Sequence, residues 1–197
     1  MVDATTLFDF LVIPNFLDQQ KSQAIVAELR AAPGAQATVY GKSVSGSVDE
    51  RVRQAMCQTV AAETVKYVQQ RLWECRPEVE NYFSIGLSAC EEAQFLRYRV
   101  GDFFVAHQDG NTGMMRMDSE ARRVSVVIFL NERSEASKED SYSGGSLVFH
   151  DWRQGRGSGE LPQAYVPGTF VAFRSETTHE VTPVTGGERC TIVGWYR

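Results

Sequence analysis

Histidine is scarce in this sequence: 197 residues contain three, His107, His150 and His179. Cysteine is nearly as rare, and none of Cys57, Cys75, Cys90 and Cys190 stands in a CxxC pair. That spacing excludes a zinc ribbon and a thioredoxin-type redox pair, and leaves four reduced, mostly buried thiols. No apolar run reaches the roughly 18 residues that a membrane-spanning helix needs. The opening Met1-Val2-Asp3-Ala4 carries an acid where a secretory signal carries Lys or Arg, so a soluble, cytoplasmic protein is expected. Excess basic charge is lacking too. The 20 Lys and Arg against 25 Asp and Glu give a net charge of −5, which argues against a general affinity for nucleic-acid phosphates or anionic membranes.

What is present is the make-up of an ordinary globule, 43% hydrophobic, 23% charged and 11% aromatic. At roughly 150 residues per domain, the length predicts a single domain over residues 1–197, with a core that needs no staples. Residues 1–80 read as a helical support. Asp18 is the expected N-cap of a helix running to about Ala32, stopped by Pro33-Gly34 and apolar along Ile25 and Leu29. Beyond a Gly/Ser-rich stretch at 41–47, a longer helix is predicted from Asp49, with Val48, Val52, Met56, Val60, Val68 and Leu72 on one stripe and Pro77 limiting its end. Residues 81–197 change character. Short β-prone runs at 92–98, 103–107, 123–130, 146–150, 165–173, 179–184 and 190–196 predict a closed sandwich or barrel, with the helices packed outside one sheet. The polar segments 131–143 and 153–159 read as surface loops that tolerate length.

The chemically informative stretch is residues 98–109, Tyr-Arg-Val-Gly-Asp-Phe-Phe-Val-Ala-His-Gln-Asp. Side chains in an extended segment repeat with period two, so His107 and Asp109 project to one side and can share a cation. A facial site needs a third ligand, for which His150 and His179 are the candidates. His179 opens one β-prone run and Arg189, ten residues on, opens the next. With a single turn at 185–187 between them, the two are expected on neighbouring antiparallel strands that face one cavity. Two histidines and a carboxylate with open coordination positions suit non-haem Fe(II) oxygenase chemistry. A fixed guanidinium suits a bidentate grip on a carboxylate co-substrate. Taken singly, each has a plainer reading: a His two residues before an Asp arises by chance, a lone half-buried His is usually a satisfied core residue, and Tyr98 and Trp195 are ordinary core aromatics.

Together these residues resemble the 2-oxoglutarate- and Fe(II)-dependent dioxygenases, in their prolyl 4-hydroxylase-like branch. The resemblance runs from Ile13-Pro14-Asn15-Phe16 to Gly194-Trp195-Tyr196 and takes in Gly144-Gly145-Ser146-Leu147 and the strand at 123–131 ending in Leu-Asn. It implies a mainly β fold with N-terminal α-helices, a double-stranded β-helix (jelly-roll) core supported by two long helices. It makes His107, Asp109 and His179 the iron ligands and gives Arg189 the far carboxylate of 2-oxoglutarate, with Tyr98 lining that pocket and Trp195 close to the site. One residue departs from the pattern. Many relatives carry a Tyr before Leu-Asn whose hydroxyl bonds 2-oxoglutarate, whereas this chain has Phe129, and Tyr98 or Thr191 is left to compensate. His150 ends an outer strand, without an arginine at the fitting distance, and reads as structural or substrate-side.

The activity implied is hydroxylation of an unactivated C–H bond, coupled to decarboxylation of 2-oxoglutarate to succinate and CO2, with Fe(II), 2-oxoglutarate and O2 required and ascorbate as reductant. The expected substrate is a prolyl residue of a protein or peptide. A free amino acid or small metabolite is the alternative, and a non-catalytic, metal-retaining binding module is the reading from a different class. A nucleic-acid demethylase is disfavoured by the net charge and by Trp195, which stands where those relatives have a second arginine; Asp109 disfavours the halogenating relatives. Trp195, the Arg51 and Arg53 that follow the Gly/Ser stretch, and Arg116 with Met114, Met115 and Met117 after the HxD, are the substrate-side candidates. The plainer reading of Arg51 and Arg53 is that an arginine in the first turns of a helix faces solvent.

Overall fold

The computed structural model describes residues 2–3, 8–38, 48–110, 122–135, 140–151, 157–161 and 165–197. The first helix, α1 (Gln19–Ala31), begins and ends where its sequence dictates. The Asp18 side chain accepts from the Lys21 backbone N–H at 2.7 Å, and Ala32 before Pro33 is extended. Ile25, Val26 and Leu29 form its buried face.

The second helix, α2 (Ala62–Phe83), corrects the sequence reading at both ends. It starts thirteen residues after Asp49. In between, the chain forms a turn and two short strands, β4 (Arg53–Gln54) and β5 (Met56–Gln58). Val52, Met56 and Val60 do repeat at helical spacing, but this backbone finds its hydrogen bonds in two sheets, β4 at the edge of one and β5 next to the edge of the other, a tertiary gain that local periodicity does not show. Pro77 lies inside the helix rather than at its end. The hydrogen bond it forfeits would go to the carbonyl of Trp73 four residues back, on a face where the Trp73 side chain is 48% exposed and water can serve instead. The helix closes at Ser84, whose φ of 53° is left-handed. Its N-terminus has no side-chain cap of its own. Glu28 of α1 supplies one, accepting from the Ala61 backbone N–H and, at 2.8 Å, from the Thr64 hydroxyl.

Among the described residues the strands form two large sheets and one small one. In order, the seven-stranded sheet runs β2 (Leu11–Ile13), β12 (Phe170–Arg174), β8 (Val124–Phe129), β15 (Arg189–Tyr196), β6 (Gln94–Tyr98), β5 and β3 (Gly34–Gln36). The six-stranded sheet runs β1 (Val2–Asp3), β11 (Gly157–Glu160), β10 (Leu147–Asp151), β13 (Thr178–Val181), β7 (Phe103–His107) and β4. β9 (Tyr142–Gly144) and β14 (Val184–Gly187) pair separately. All pairings are antiparallel except β1 with β11.

Alternation along β8 shows how the layers divide. Val124, Val126 and Ile128 face the helices and join Ile25, Leu29, Val68 and Leu72 in one core. Val127 and Phe129 face the other sheet and join Leu147, Phe149 and Val181 in a second core. The fold is therefore the expected one, mainly β with two long helices behind one sheet of a double-stranded β-helix. Local expectations fail in three places. The run at 165–173 is a strand only from Phe170; the two polar loops each contain a strand, β9 and β11; and 185–187 is not a lone turn but part of β14. No helix among the described residues is long and apolar enough to cross a membrane.

Because the α2 cap is borrowed from α1, Glu28→Ala removes it without touching the apolar core. Urea denaturation is expected to show a loss of about 1–2 kcal/mol, the usual cost of an N-cap, whereas Glu28→Gln retains an acceptor and loses less.

Candidate metal centre and co-substrate cavity

His107 ends β7 and His179 lies in β13, and the register of this antiparallel pair sets the two directly opposite each other. Their ring centroids are 4.2 Å apart. Each ring is fixed by the same local device, a hydrogen bond from Nδ1 to the carbonyl two residues earlier: Val105 at 2.8 Å for His107 and Thr177 at 3.0 Å for His179. A carbonyl can only accept, so Nδ1 carries the proton and Nε2 presents a lone pair. The backbone N–H groups of Asp109 and Gly110 both donate to the Ser175 carbonyl at 3.0 Å, which brings the carboxylate across to the imidazoles. Position 110 has no room for a side chain, since a Cβ would lie 2.6 Å from the Arg122 carbonyl oxygen. The Asp109 oxygens stand 3.7 Å from His107 Nε2 and 3.6 Å from His179 Nε2, and one ligand atom from each of the three residues fits within 4.8 Å of the others.

The surroundings favour the protonation states that metal binding needs. Burial, with the neighbouring His179 second, pushes the His107 imidazole down to about 3, so it is neutral. The Phe104 ring stacks on it at 3.6 Å, and Phe173 meets His179 edge-on at 4.8 Å. Burial alone raises the Asp109 carboxyl, but the two imidazoles and hydrogen bonding from Trp195 and Ser125 outweigh it and hold the group at about 2. The Ser125 hydroxyl donates to Asp109 Oδ2 at 2.7 Å and lies 2.9 Å from the Ser175 hydroxyl. Trp195 is steadied in turn: the Arg122 guanidinium lies 3.6 Å over its ring, and Glu91 clamps Arg122 through two hydrogen bonds of 2.9 and 2.7 Å and also accepts from Arg197.

These groups form one wall of a cavity of about 140 Å³ that Arg189 also lines. Arg189 is 2% exposed. It lies between the rings of Tyr98 and Phe129, at 5.1 and 5.3 Å, and donates through Nη1 to the Thr191 hydroxyl at 3.2 Å. Its Nε is buried without a partner. A buried guanidinium with a spare donor and a set of two imidazole nitrogens plus a carboxylate fit the co-substrate and the metal expected from the sequence.

The family model of the 2OG-Fe(II) oxygenase superfamily matches residues 93–197. The chain belongs to that superfamily. A PKHD-type hydroxylase of Hyphomonas neptunium is 30% identical over 194 residues, taking in 94% of this chain and 76% of that protein. A PKHD-type hydroxylase of Shewanella sp. strain ANA-3 is 36% identical over 106 residues, which are 51% of this chain but only 40% of the relative. Among solved structures, a prolyl-4-hydroxylase of Pseudomonas putida superposes with a TM-score of 0.71 at 25% identity, covering 98% of this chain and 95% of the other. A prolyl hydroxylase of Trichoplax adhaerens, crystallised with a hypoxia inducible factor peptide, shares the fold with a TM-score of 0.68 at 18% identity.

Of the residues singled out in the sequence, His107, Asp109, His179, Tyr98, Arg189 and Trp195 all line this cavity, and Thr191 accepts from Arg189. The route by which His179 and Arg189 converge is not the expected one: β13 and β15 lie in opposite sheets, so the two side chains approach across the sandwich rather than along one sheet. Arg51 is not among the residues that line the cavity. It lies in the turn before β4, its side chain 85% exposed and paired with Asp49. Arg53, two residues on, turns inward and lines the cavity, because β4 pairs with the His107-bearing strand. Arg116 and its methionine neighbours lie outside the described residues, as do 41–47. His150 is in β10, where its neighbour Phe149 is opposite His179. By alternation, His150 points to the other face, where Nδ1 lies 2.7 Å from the Ser158 hydroxyl.

A histidine whose folded pKa lies below its unfolded value stabilises the fold most above the unfolded pKa, and that contribution is lost as pH falls toward the folded one. For His107, lowered from 6.5 to about 3, metal-free protein should lose stability below about pH 6.5 with a slope of at most about 1.4 kcal/mol per pH unit. His107→Asn should flatten this dependence in urea midpoints measured from pH 7.5 to 4.5.

Proposed function

We propose that this oxygenase is a Fe(II)- and 2-oxoglutarate-dependent hydroxylase that acts on prolyl residues of a protein or peptide, with residues 1–197 forming one such domain. The observation that carries the reading is the convergence of His107, Asp109, His179 and buried Arg189 on one cavity. Membership of the superfamily supports the reaction type, and the likeness to the Pseudomonas putida prolyl-4-hydroxylase supports the substrate.

In this reading His107 and His179 offer their Nε2 atoms, and Asp109 one carboxylate oxygen, to Fe(II). Bound there with 2-oxoglutarate and O2, iron supplies the oxidation that converts the co-substrate to succinate and CO2 and delivers one oxygen atom to a C–H bond of the substrate. The protein contributes geometry and electrostatics. Ser125 and Trp195 hold the carboxylate ionised and aimed, the Nδ1 hydrogen bonds hold the imidazoles, and Phe104 and Phe173 keep water from their faces. Arg189 grips the far carboxylate of 2-oxoglutarate, and Tyr98 walls the same pocket.

A second reading, a free amino acid or other carboxylate-bearing small molecule as substrate, has Arg53 in its favour. Its side chain faces the cavity, the residue is 6% exposed, its Nε has no partner, and it has no carboxylate partner among the described residues.

Purified protein with Fe(II), 2-oxoglutarate, ascorbate and O2 should release succinate, faster with a prolyl peptide than with free proline. The reverse order would select the small-molecule reading, and no succinate with any substrate the binding-module one. His107→Ala or Asp109→Ala should abolish Fe(II) binding in calorimetry. Ser125→Ala, which only steadies Asp109, should weaken it roughly tenfold to hundredfold, and unchanged affinity would remove the carboxylate from the ligand set.

A further inference from the structure

Phe129 leaves the Arg189 pocket one hydroxyl short of the pattern expected from the sequence. Neither of the replacements named there, Tyr98 and Thr191, is plainly free to act: Tyr98 lies under the Arg189 guanidinium with its ring, and the Thr191 hydroxyl already accepts from Arg189. A third hydroxyl is close by. Tyr142, in β9, is 1% exposed; its hydroxyl lies close enough to Arg189 to feel the guanidinium but makes no hydrogen bond of good geometry. Its ring and the Arg189 stem converge on one backbone position, Gly145. A Cβ there would lie 3.0 Å from Arg189 Cδ and 3.4 Å from Tyr142 Cε2, so the absence of a side chain is what lets the two approach. The arrangement is built by the β9–β14 pair, in which Tyr142 is opposite Gly187, two residues before Arg189. The same small region therefore holds two buried polar atoms without a well-formed hydrogen bond, the Tyr142 hydroxyl and Arg189 Nε. Leaving such a group unsatisfied costs about 1–3 kcal/mol, and an ionised carboxylate, which only accepts, would satisfy both at once.

We propose that Tyr142 supplies the hydroxyl that Phe129 lacks, donating to the far carboxylate of 2-oxoglutarate beside Arg189. The proposal rests on the reading of the cavity as a 2-oxoglutarate site. Burial, foremost among the influences on it, raises the Tyr142 pKa, which keeps the hydroxyl protonated and a donor at neutral pH. Tyr142 thus acts as a binding residue for the co-substrate, and the β9–β14 hairpin becomes part of the pocket rather than a decoration of the fold.

Calorimetric titration of Mn(II)-loaded protein with 2-oxoglutarate tests it without turnover. Tyr142→Phe should weaken 2-oxoglutarate binding about tenfold or more, the range for a hydrogen bond to a charged group, while Mn(II) affinity stays unchanged. The metal-free, co-substrate-free variant should melt close to wild type, since the hydroxyl removed makes no well-formed hydrogen bond. Binding within twofold of wild type overturns the assignment of Tyr142 and leaves the co-substrate reading intact, whereas wild-type protein that binds no 2-oxoglutarate overturns both. Weaker binding accompanied by a lower melting temperature would make Tyr142 a packing residue and also overturns the proposal.

Discussion

The pairing of His107 with His179 across β7 and β13 is the constraint on which the rest of the site depends. A shift of one residue in this register would turn one imidazole to the other face of the sheet. The two rings are held by one repeated device, Nδ1 to the carbonyl two positions back, so strand geometry sets tautomer and direction together. Asp109 lies beyond the end of β7, where ladder hydrogen bonds no longer hold the chain, and two backbone bonds to the Ser175 carbonyl replace them. The geometry of the His107, Asp109 and His179 cluster is thus largely backbone geometry.

That backbone is stiff because it is packed from behind. Every residue of β8 is buried, Val124, Val126 and Ile128 under the helices and Ser125, Val127 and Phe129 toward the other sheet, where Ser125 and Val127 line the cavity. The helical layer has no residue in the site, yet it clamps the sheet that bears Arg189 and Trp195. Glu28, which caps α2 from α1, ties the two helices into one support. The borrowed cap explains why α2 needs no strong start signal of its own.

Much of this was legible in the sequence, and the failures share a cause. The helix α1, the strand at 103–107 and the His-x-Asp pair follow from local patterns: an N-cap, a Pro-Gly stop, and period-two alternation. The region 48–60 was misread because Val52, Met56 and Val60 satisfy a helical spacing while the backbone bonds to β7 and β6, partners remote in sequence. Pro77 was read as a stop because the exposure of Trp73 is a tertiary fact. Arg51 and Arg53 look alike in sequence, and only the edge pairing of β4 decides which one turns inward. The approach of Arg189 to the site across the sandwich, and the position of Tyr142 beside it, required the sheet order. Residue chemistry was readable in sequence wherever the strand carried it locally; which distant strand would face it was not.

Glu91 is a polar side chain with no place in the metal trio, yet it is mechanically in series with it. The carboxylate holds Arg122 and Arg197, Arg122 lies against Trp195, and Trp195 steadies Asp109. The position of an Asp109 oxygen is therefore set, through a stacked guanidinium and an indole, by a carboxylate that never touches it.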